Sequence, residues 1–379
     1  MNLTLDRRTL MLSAAATAGT LVAETASAQT PDRWRDALII NALGGLSDPN
    51  VRGEGPASRR PVLDRRILRD AHASGMSAVN ITLGYVAGDE DPFEVSISDI
   101  AAWDAAVRAH SADLIKVWGV DDILRAKAES RIGLIYGFQN AAQVGGDLER
   151  IDIFADLGVR VIQLTYNPAN HIGDGAMAPE NRGLSPFGRE VIERLNANRI
   201  MVDLSHSGEQ TCLEAAEISA RPISINHTGC RAVADLPRNK TDQELRLVAS
   251  RGGFIGIYFM PFLNVTGHAT PDDVVAHIEH AVNVCGEDHV GIGTDGGVTP
   301  VDDMPAYLLR LAAEVEARRA AGIGAAGERA DTLPFVPGLD GPDQFFDLAE
   351  RLAARGHSQA RIEKILGGNF LAFAREIWG

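Results

Sequence analysis

Three stretches of this sequence decide its fold: Ile200-Met-Val-Asp-Leu-Ser-His206, Pro222-Ile-Ser-Ile-Asn-His227 and His289-Val-Gly-Ile-Gly-Thr-Asp295. Each stretch carries an apolar run that ends on a side chain able to bind a metal ion. In a β/α barrel, the carboxyl end of each strand delivers such side chains to one shared face. The three stretches therefore predict a parallel barrel with a site at the C-terminal ends of its strands.

Five further apolar runs bring the number of predicted strands to eight. The runs are nearly continuous in apolar residues, which is typical of parallel strands covered on both faces, and amphipathic helical stretches separate them. The eight predicted strands span residues 37–41, 77–82, 133–138, 159–165, 200–204, 223–226, 254–258 and 289–294.

Eight alternations of strand and helix predict an α/β protein, a (β/α)8 TIM barrel. We expect one domain over residues 29–379, with a Gly/Ala/Pro-rich loop insertion near residues 320–341. The alternative is a doubly wound open sheet. The lack of a glycine-rich phosphate loop after the first predicted strand weighs against it.

Composition and charge exclude several classes of partner. The formal net charge is −15, which argues against nucleic acid and against anionic membrane surfaces. The chain has no run of eighteen apolar residues, so we expect no membrane-spanning segment. Its three cysteines have no close spacing and predict free thiols, not a disulfide framework.

The first 28 residues have the pattern of an export signal. Arg7 and Arg8 precede a short apolar core, and Ala26-Ser-Ala28 supplies a small-residue cleavage site. The paired arginines favour the twin-arginine type, with an ordinary secretory signal as the alternative. Both predict a periplasmic or secreted protein.

His206 and His227 follow successive predicted strands of the barrel. Adjacent strand ends lie about 5 Å apart, so both imidazoles can reach one ion. Two histidines with an oxygen ligand are a common set for catalytic zinc. A single histidine at a strand end is more often packed or hydrogen-bonded, but two in succession, followed by Asp295, favour a metal site.

Other motifs carry a resemblance to a known family. They include Arg182-Gly-Leu-Ser-Pro-Phe-Gly188, Leu236-Pro-Arg-Asn-Lys-Thr-Asp242 and the tail Ile365-Leu-Gly-Gly-Asn-Phe370. Together with the strand-end stretches, these motifs resemble the membrane (renal) dipeptidase family of zinc hydrolases. The resemblance covers most of the chain and is strongest from residue 180 onward. It implies a (β/α)8 barrel, a two-zinc centre that cleaves dipeptides, and a homodimer.

The resemblance also assigns roles to individual residues. His206 and His227 match the two histidines of the family's second zinc. Asp295 matches the aspartate that binds the first zinc and handles the proton of the attacking water. Arg238 matches the arginine that holds the substrate's carboxylate, a task suited to a planar, bidentate guanidinium.

The chain departs from the family's pattern at four positions. Leu43 and Gly45 stand where the family has a His-x-Asp pair for the first zinc. Gln139 replaces the bridging glutamate, and Tyr166 replaces the histidine that polarises the substrate. A bridging carboxylate offsets the repulsion between two cations, and an amide cannot. We therefore expect at most one zinc ion, held by His206, His227 and Gln139, or none.

The remaining polar residues at strand ends complete the predicted pocket. We expect Asn140, Asn167 and Tyr258 to bind substrate beside Arg238, and Tyr166 and Asp295 to be catalytic. Three hypotheses of function follow. The first is hydrolysis of a small peptide or amide that carries a carboxylate. The second is an enzyme of the same fold with changed chemistry, a lyase, isomerase or lactonase that uses Tyr166 and Asp295 as acid and base. The third is a pocket protein without turnover.

Overall fold

The computed structural model describes residues 32–51 and 61–379. The predicted export signal at residues 1–28 lies outside this part of the chain. The described residues form nine strands, all paired in parallel. They are β1 (Ile39–Gly44), β2 (Met76–Leu83), β3 (Leu114–Lys116), β4 (Ile132–Phe138), β5 (Val159–Gln163), β6 (Met201–Asp203), β7 (Ser224–Thr228), β8 (Phe254–Ile257) and β9 (Val290–Ile292).

Eight of these strands form the barrel, in the order β1-β2-β4-β5-β6-β7-β8-β9. A parallel bridge between Gly44 and Gly296 joins the last strand back to the first. The predicted (β/α)8 barrel is therefore confirmed. The short strand β3 was not predicted; it pairs with the start of β4, off the path of the barrel.

Twelve α-helices accompany the strands in the described residues. They are α1 (Arg65–Ala73), α2 (Pro92–Ala109), α3 (Val120–Ala128), α4 (Glu149–Asp156), α5 (Pro186–Ala197), α6 (Glu209–Ile218), α7 (Asp242–Ser250), α8 (Pro271–Cys285), α9 (Met304–Ala320), α10 (Gln344–Ala354), α11 (Gln359–Glu363) and α12 (Asn369–Trp378). Capping boxes begin α7 at Thr241 and α8 at Thr270, where each hydroxyl accepts from the backbone three residues on. No helix among residues 32–51 and 61–379 is long and apolar enough to cross a membrane.

The barrel is closed by a reciprocal pair of side-chain hydrogen bonds. Asn41 Nδ2 donates to Thr294 Oγ1 at 2.8 Å, and the Thr294 backbone N–H donates to Asn41 Oδ1 at 2.8 Å. Both residues are buried. Because Thr294 directly precedes Asp295, this closure fixes the position of that carboxylate at the end of β9.

The helix α9 and the segment after it form an addition beyond the last strand. Residues 321–343 contain no helix or strand and connect α9 to α10. The insertion near residues 320–341 stays a prediction. The helix itself was not predicted. Only Leu311 and Val315 of its seventeen residues are buried, so its apolar pattern is weak.

Candidate functional site

The C-terminal ends of the barrel strands surround a cavity of about 260 Å³. Gln139 follows β4, Tyr166 and Asn167 follow β5, and Asp295 follows β9. Six of the nine predicted site residues line this cavity: Gln139, Tyr166, Asn167, His206, Arg238 and Asp295. His227 lies directly behind His206 and is fully buried.

The two histidines face each other through their Nε2 atoms, 2.9 Å apart. Asn167 fixes the tautomer of His206. The Asn167 Nδ2 group donates to the Ile323 carbonyl at 2.8 Å, which leaves its Oδ1 to accept from His206 Nδ1 at 2.7 Å. His206 Nδ1 therefore carries the proton and its Nε2 holds a lone pair. In the neutral pair, His227 Nε2 donates to that lone pair.

The surroundings of the histidine pair are cationic. Burial, followed by the charge of Arg238, holds the pKa of both imidazoles well below the ordinary value. Lys240 adds to the effect; it is buried, and its ammonium lies 3.3 Å from Glu244. Both histidines are therefore neutral at physiological pH, the form in which imidazole binds metal.

A two-zinc centre does not fit these residues. Among residues 32–51 and 61–379, no three His, Cys, Asp or Glu side chains are grouped to hold a metal ion. Gln139 Nε2 donates to Thr82 Oγ1 at 2.6 Å. The neutral carbonyl oxygen of the Gln139 side chain is therefore the atom left to coordinate a metal ion. The facing Nε2 atoms lie close enough to bind the same ion. His227 Nδ1 has no hydrogen-bond partner in the described structure and so lacks the outer support that metal-bound histidines usually have.

Asp295 is the acidic member of the cavity wall at the end of β9. Its backbone has φ 59°, a left-handed conformation that non-glycine residues seldom adopt and that is often found at functional sites. Burial raises the pKa of its carboxyl to about 6, against a smaller lowering by Arg238 and Arg318. A carboxylate with this pKa can accept a proton near neutral pH.

Arg238 brings a buried positive charge to the cavity. The side chain is 2% exposed, and its Nη1 donates to the Ser205 carbonyl. Its guanidinium lies 5.9 Å from the centre of the Tyr258 ring. No carboxylate in the described part of the chain forms an ion pair with it. A buried guanidinium without a counter-ion favours an anionic ligand.

Tyr166 stacks on His206, with ring centroids 4.3 Å apart and planes 22° from parallel. Its hydroxyl lies 3.3 Å from Nη2 of Arg318, a residue of α9 that the sequence did not single out. The helix and the loop after it contribute further cavity residues that were also missed: Leu311, Glu314, Val315, Ala325 and Glu328. The Gly/Ala/Pro-rich composition after the last strand was the signal that this segment could form a pocket wall.

Asn140 and Tyr258 are not among the residues that line the cavity. Asn140 donates to the Val86 carbonyl at 3.0 Å and accepts from Asn170 Nδ2 at 2.9 Å. The Tyr258 hydroxyl donates to Asn239 Oδ1 at 2.5 Å and is fully buried. Both side chains hold neighbouring loops in place. In this conformation they do not reach a ligand in the cavity, and their predicted substrate contacts remain predictions.

A second cavity of about 220 Å³ lies on the other side of Asp295. It shares Asp295 and Pro334 with the first, and its walls are largely apolar. Asp295 therefore stands between two spaces.

Comparison with known proteins identifies relatives that match most of the barrel. The profile of the membrane dipeptidase family, peptidase family M19, matches residues 66–320. The dipeptidase tcpJ of Claviceps purpurea is 29% identical over 261 residues, which cover 68% of this chain and 54% of that protein. The chain thus spans about half the length of that relative.

Two solved structures from Pseudomonas aeruginosa share the architecture. An amidohydrolase is 29% identical, covers 92% of this chain and 98% of its own, and superposes with a TM-score of 0.77. The probable dipeptidase PvdM is 20% identical, and the match covers 92% of this chain and 97% of PvdM. Its TM-score of 0.70 shows a shared fold.

Proposed function

The chain belongs to the membrane dipeptidase family, and from that membership we propose that it hydrolyses a small peptide or amide that carries a free carboxylate, with at most one metal ion in its site. The observation that supports this proposal most strongly is the shared cavity. It places an unpaired buried guanidinium, a carboxylate with a pKa of about 6 and a tyrosine hydroxyl around one space.

Each of these three groups has a role in hydrolysis. Arg238 binds the carboxylate of the substrate through its planar fork. Asp295 takes a proton from the water that attacks the amide carbonyl and passes it to the leaving nitrogen as the C–N bond breaks. Tyr166 donates a hydrogen bond to the carbonyl oxygen, on which negative charge develops. The products are a carboxylate and an amine.

His206 and His227, with the carbonyl oxygen of Gln139, would hold a single zinc ion. When bound, such an ion supplies Lewis-acid polarisation of the carbonyl or of water. The neutral, tautomer-fixed imidazole of His206 supports this assignment. The neighbouring positive charges of Arg238, Lys240 and Arg318 oppose a second cation.

The test is a panel of L,L and L,D dipeptides, with release of free amino acids measured by mass spectrometry. We expect turnover of at least one peptide. In Arg238→Ala, kcat/KM should fall about 100-fold, the magnitude of losing one buried charge-assisted contact. Arg246→Ala is the matched control because that arginine is exposed on α7; it should leave turnover unchanged. Failure on every peptide would contradict the proposal.

One observation favours a second candidate function. Tyr166 and Asp295 line the same cavity and can serve as acid and base without a metal ion. Such a pair suits a lyase, an isomerase or a lactonase. Chelator-treated protein that keeps full activity on a lactone or a hydroxy acid, and none on dipeptides, would favour this candidate. Tight binding of a carboxylate compound, lost in Arg238→Ala and without turnover, would indicate a pocket protein instead.

We also propose that the protein is exported and forms a homodimer. The paired arginines and the Ala26-Ser-Ala28 site support export, and the family resemblance supports the dimer. N-terminal sequencing of the mature protein should begin after Ala28. Light scattering of the purified protein should give twice the mass of one mature chain. A cytoplasmic protein that retains Met1, or a monomer, would contradict these two proposals.

A further inference from the structure

The segment from Arg318 to Glu328, here called the α9 strap, is tied to the catalytic cavity at two points. Arg318 Nη2 lies 3.3 Å from the Tyr166 hydroxyl, and the Ile323 carbonyl accepts from Asn167 Nδ2 at 2.8 Å. The strap thus contacts the two consecutive residues that follow β5. One of them stacks on His206 and the other fixes its tautomer.

The strap is itself internally braced. Arg318 Nε donates to Glu328 Oε1 at 2.6 Å, and the other carboxylate oxygen accepts from the Ala325 backbone at 2.8 Å. This pair holds the guanidinium in one orientation and balances its charge. The contact with Tyr166 depends on the direction of the Arg318 N–H groups, whereas the charge of Arg318 acts separately by lowering the pKa of Asp295. Its remaining N–H groups point from a fixed position toward the phenol.

The direction of the hydrogen bond to Tyr166 follows from chemistry alone. A guanidinium has donors and no acceptor, so the phenolic oxygen must accept from Arg318. The phenolic proton is then left for another partner. Tyr166 makes no other hydrogen bond within the described ranges, and its ring is held by the stack on His206. Tyr166 lines the cavity, where a substrate can accept that proton.

We propose that Arg318 is a positioning residue for the hydrolysis. By donating to the Tyr166 oxygen, it commits the phenolic proton to the substrate's carbonyl oxygen. Without this contact, the hydroxyl can rotate and its proton can point away from the substrate. The inference rests on the proposed function, because it assigns Tyr166 the donor role in that reaction.

The test is a double-mutant cycle on the dipeptide that wild type turns over best. Tyr166→Phe should lower kcat about 100-fold, since it removes one donor to the developing oxyanion. Arg318→Met should lower kcat about tenfold with little change in KM, because the contact acts on the transition state. The double variant should be no slower than Tyr166→Phe alone, because Arg318 acts through that hydroxyl. Arg318→Lys, which keeps a donor, should recover part of the loss.

Arg319→Met is the matched control, because that neighbour is exposed and pairs with Glu316; it should keep wild-type kcat. Circular dichroism confirms that each variant is folded, and Glu328→Gln provides a second route to release Arg318 if Arg318→Met unfolds. If the losses of kcat in the two single variants multiply in the double variant, or if Arg318→Met changes only KM, the proposed role of Arg318 is overturned. The proposed function is not affected by either result. A wild-type protein that hydrolyses no dipeptide would instead overturn the proposed function and this role together.

Discussion

Replacement of Asp295 by Asn should make the protein more stable while it removes activity. The carboxyl has a pKa of about 6 in the folded chain, because burial disfavours its charged form. Its ordinary value is 3.8. The difference is about two units, and each unit corresponds to about 1.4 kcal/mol. Ionised Asp295 therefore costs the folded state about 3 kcal/mol, and an uncharged amide of the same shape does not.

The sign of the pH dependence follows from this raised pKa. The stability that protonated Asp295 contributes is full below its unfolded pKa near 3.8 and is lost as pH rises through about 6. At pH 8, Asp295→Asn should therefore unfold about 4 °C higher than wild type, given about 2.1 cal/mol/K of unfolding entropy per residue. At pH 4 the two proteins should unfold at nearly the same temperature.

Thermal unfolding followed by circular dichroism at both pH values measures this effect. Asp295→Ala is the control for charge removal without the amide. The unfolding temperature of Asp295→Ala at pH 8 should rise less than that of Asp295→Asn, because alanine tolerates φ 59° less well than asparagine. Asp295→Asn that is less stable than wild type at pH 8, or a difference that does not vary with pH, would refute the reasoning. The first result would mean that the fold stabilises the ionised carboxylate, and the second that folding does not shift its pKa.

Three further predictions concern pH, the barrel interior and the thiols. The value of kcat/KM should rise with pH and level off above about 6 as Asp295 ionises; a flat profile from pH 4 to 8 would exclude it as the base. Gly293→Ala should prevent folding, because the added Cβ would lie 1.9 Å from the Asn226 carbonyl oxygen. The control Gly119→Ala should fold, because its Cβ meets nothing within 4 Å. Equal soluble yields of the two variants would contradict this prediction. Burial raises the pKa of all three thiols, those of Cys212, Cys230 and Cys285. Ellman's reagent at pH 8 should therefore label no thiol in the folded protein and three after denaturation. Rapid labelling of the folded protein would refute this prediction.

The barrel could be predicted because buried parallel strands leave a strong apolar signal. Every residue of β4, β7 and β8 is buried, and each of these runs stands out in the sequence. The strand β3 could not be found this way. It lies off the barrel path, so it falls outside the eightfold alternation of strand and helix by which the other strands were predicted.

The site was predictable where position on a strand determines the direction of the side chain. His206, Asp295 and Gln139 reach the cavity because each lies within three residues of the C-terminal end of a barrel strand. Asn140 and Tyr258 occupy similar positions but are held by loop hydrogen bonds, and the sequence does not show which partner such a polar group takes. Arg318 gave no signal, because it approaches Tyr166 from a helix 152 residues further along the chain.

The family resemblance implies four departures from the family's pattern, and these would change the charge of the site. The resemblance implies that Leu43, Gly45 and Gln139 stand in place of three acidic or metal-binding groups. The charges of Arg238 and Arg318 both act on Asp295. We propose that the balance shifts from a cavity that attracts metal ions toward one that attracts an anionic ligand. This shift is the physical basis for expecting at most one ion and for assigning Tyr166 a donor role.

The number of zinc ions per chain tests this account most directly. Purified protein is incubated with excess zinc, passed through a desalting column and measured by inductively coupled plasma mass spectrometry. We expect no more than one zinc per wild-type chain, with any bound ion lost in His206→Ala. The triple variant Leu43→His/Gly45→Asp/Gln139→Glu is the positive control, and the Gly45 Cβ direction is free of neighbours within 4 Å. That variant should bind two. Two ions per wild-type chain would contradict the account.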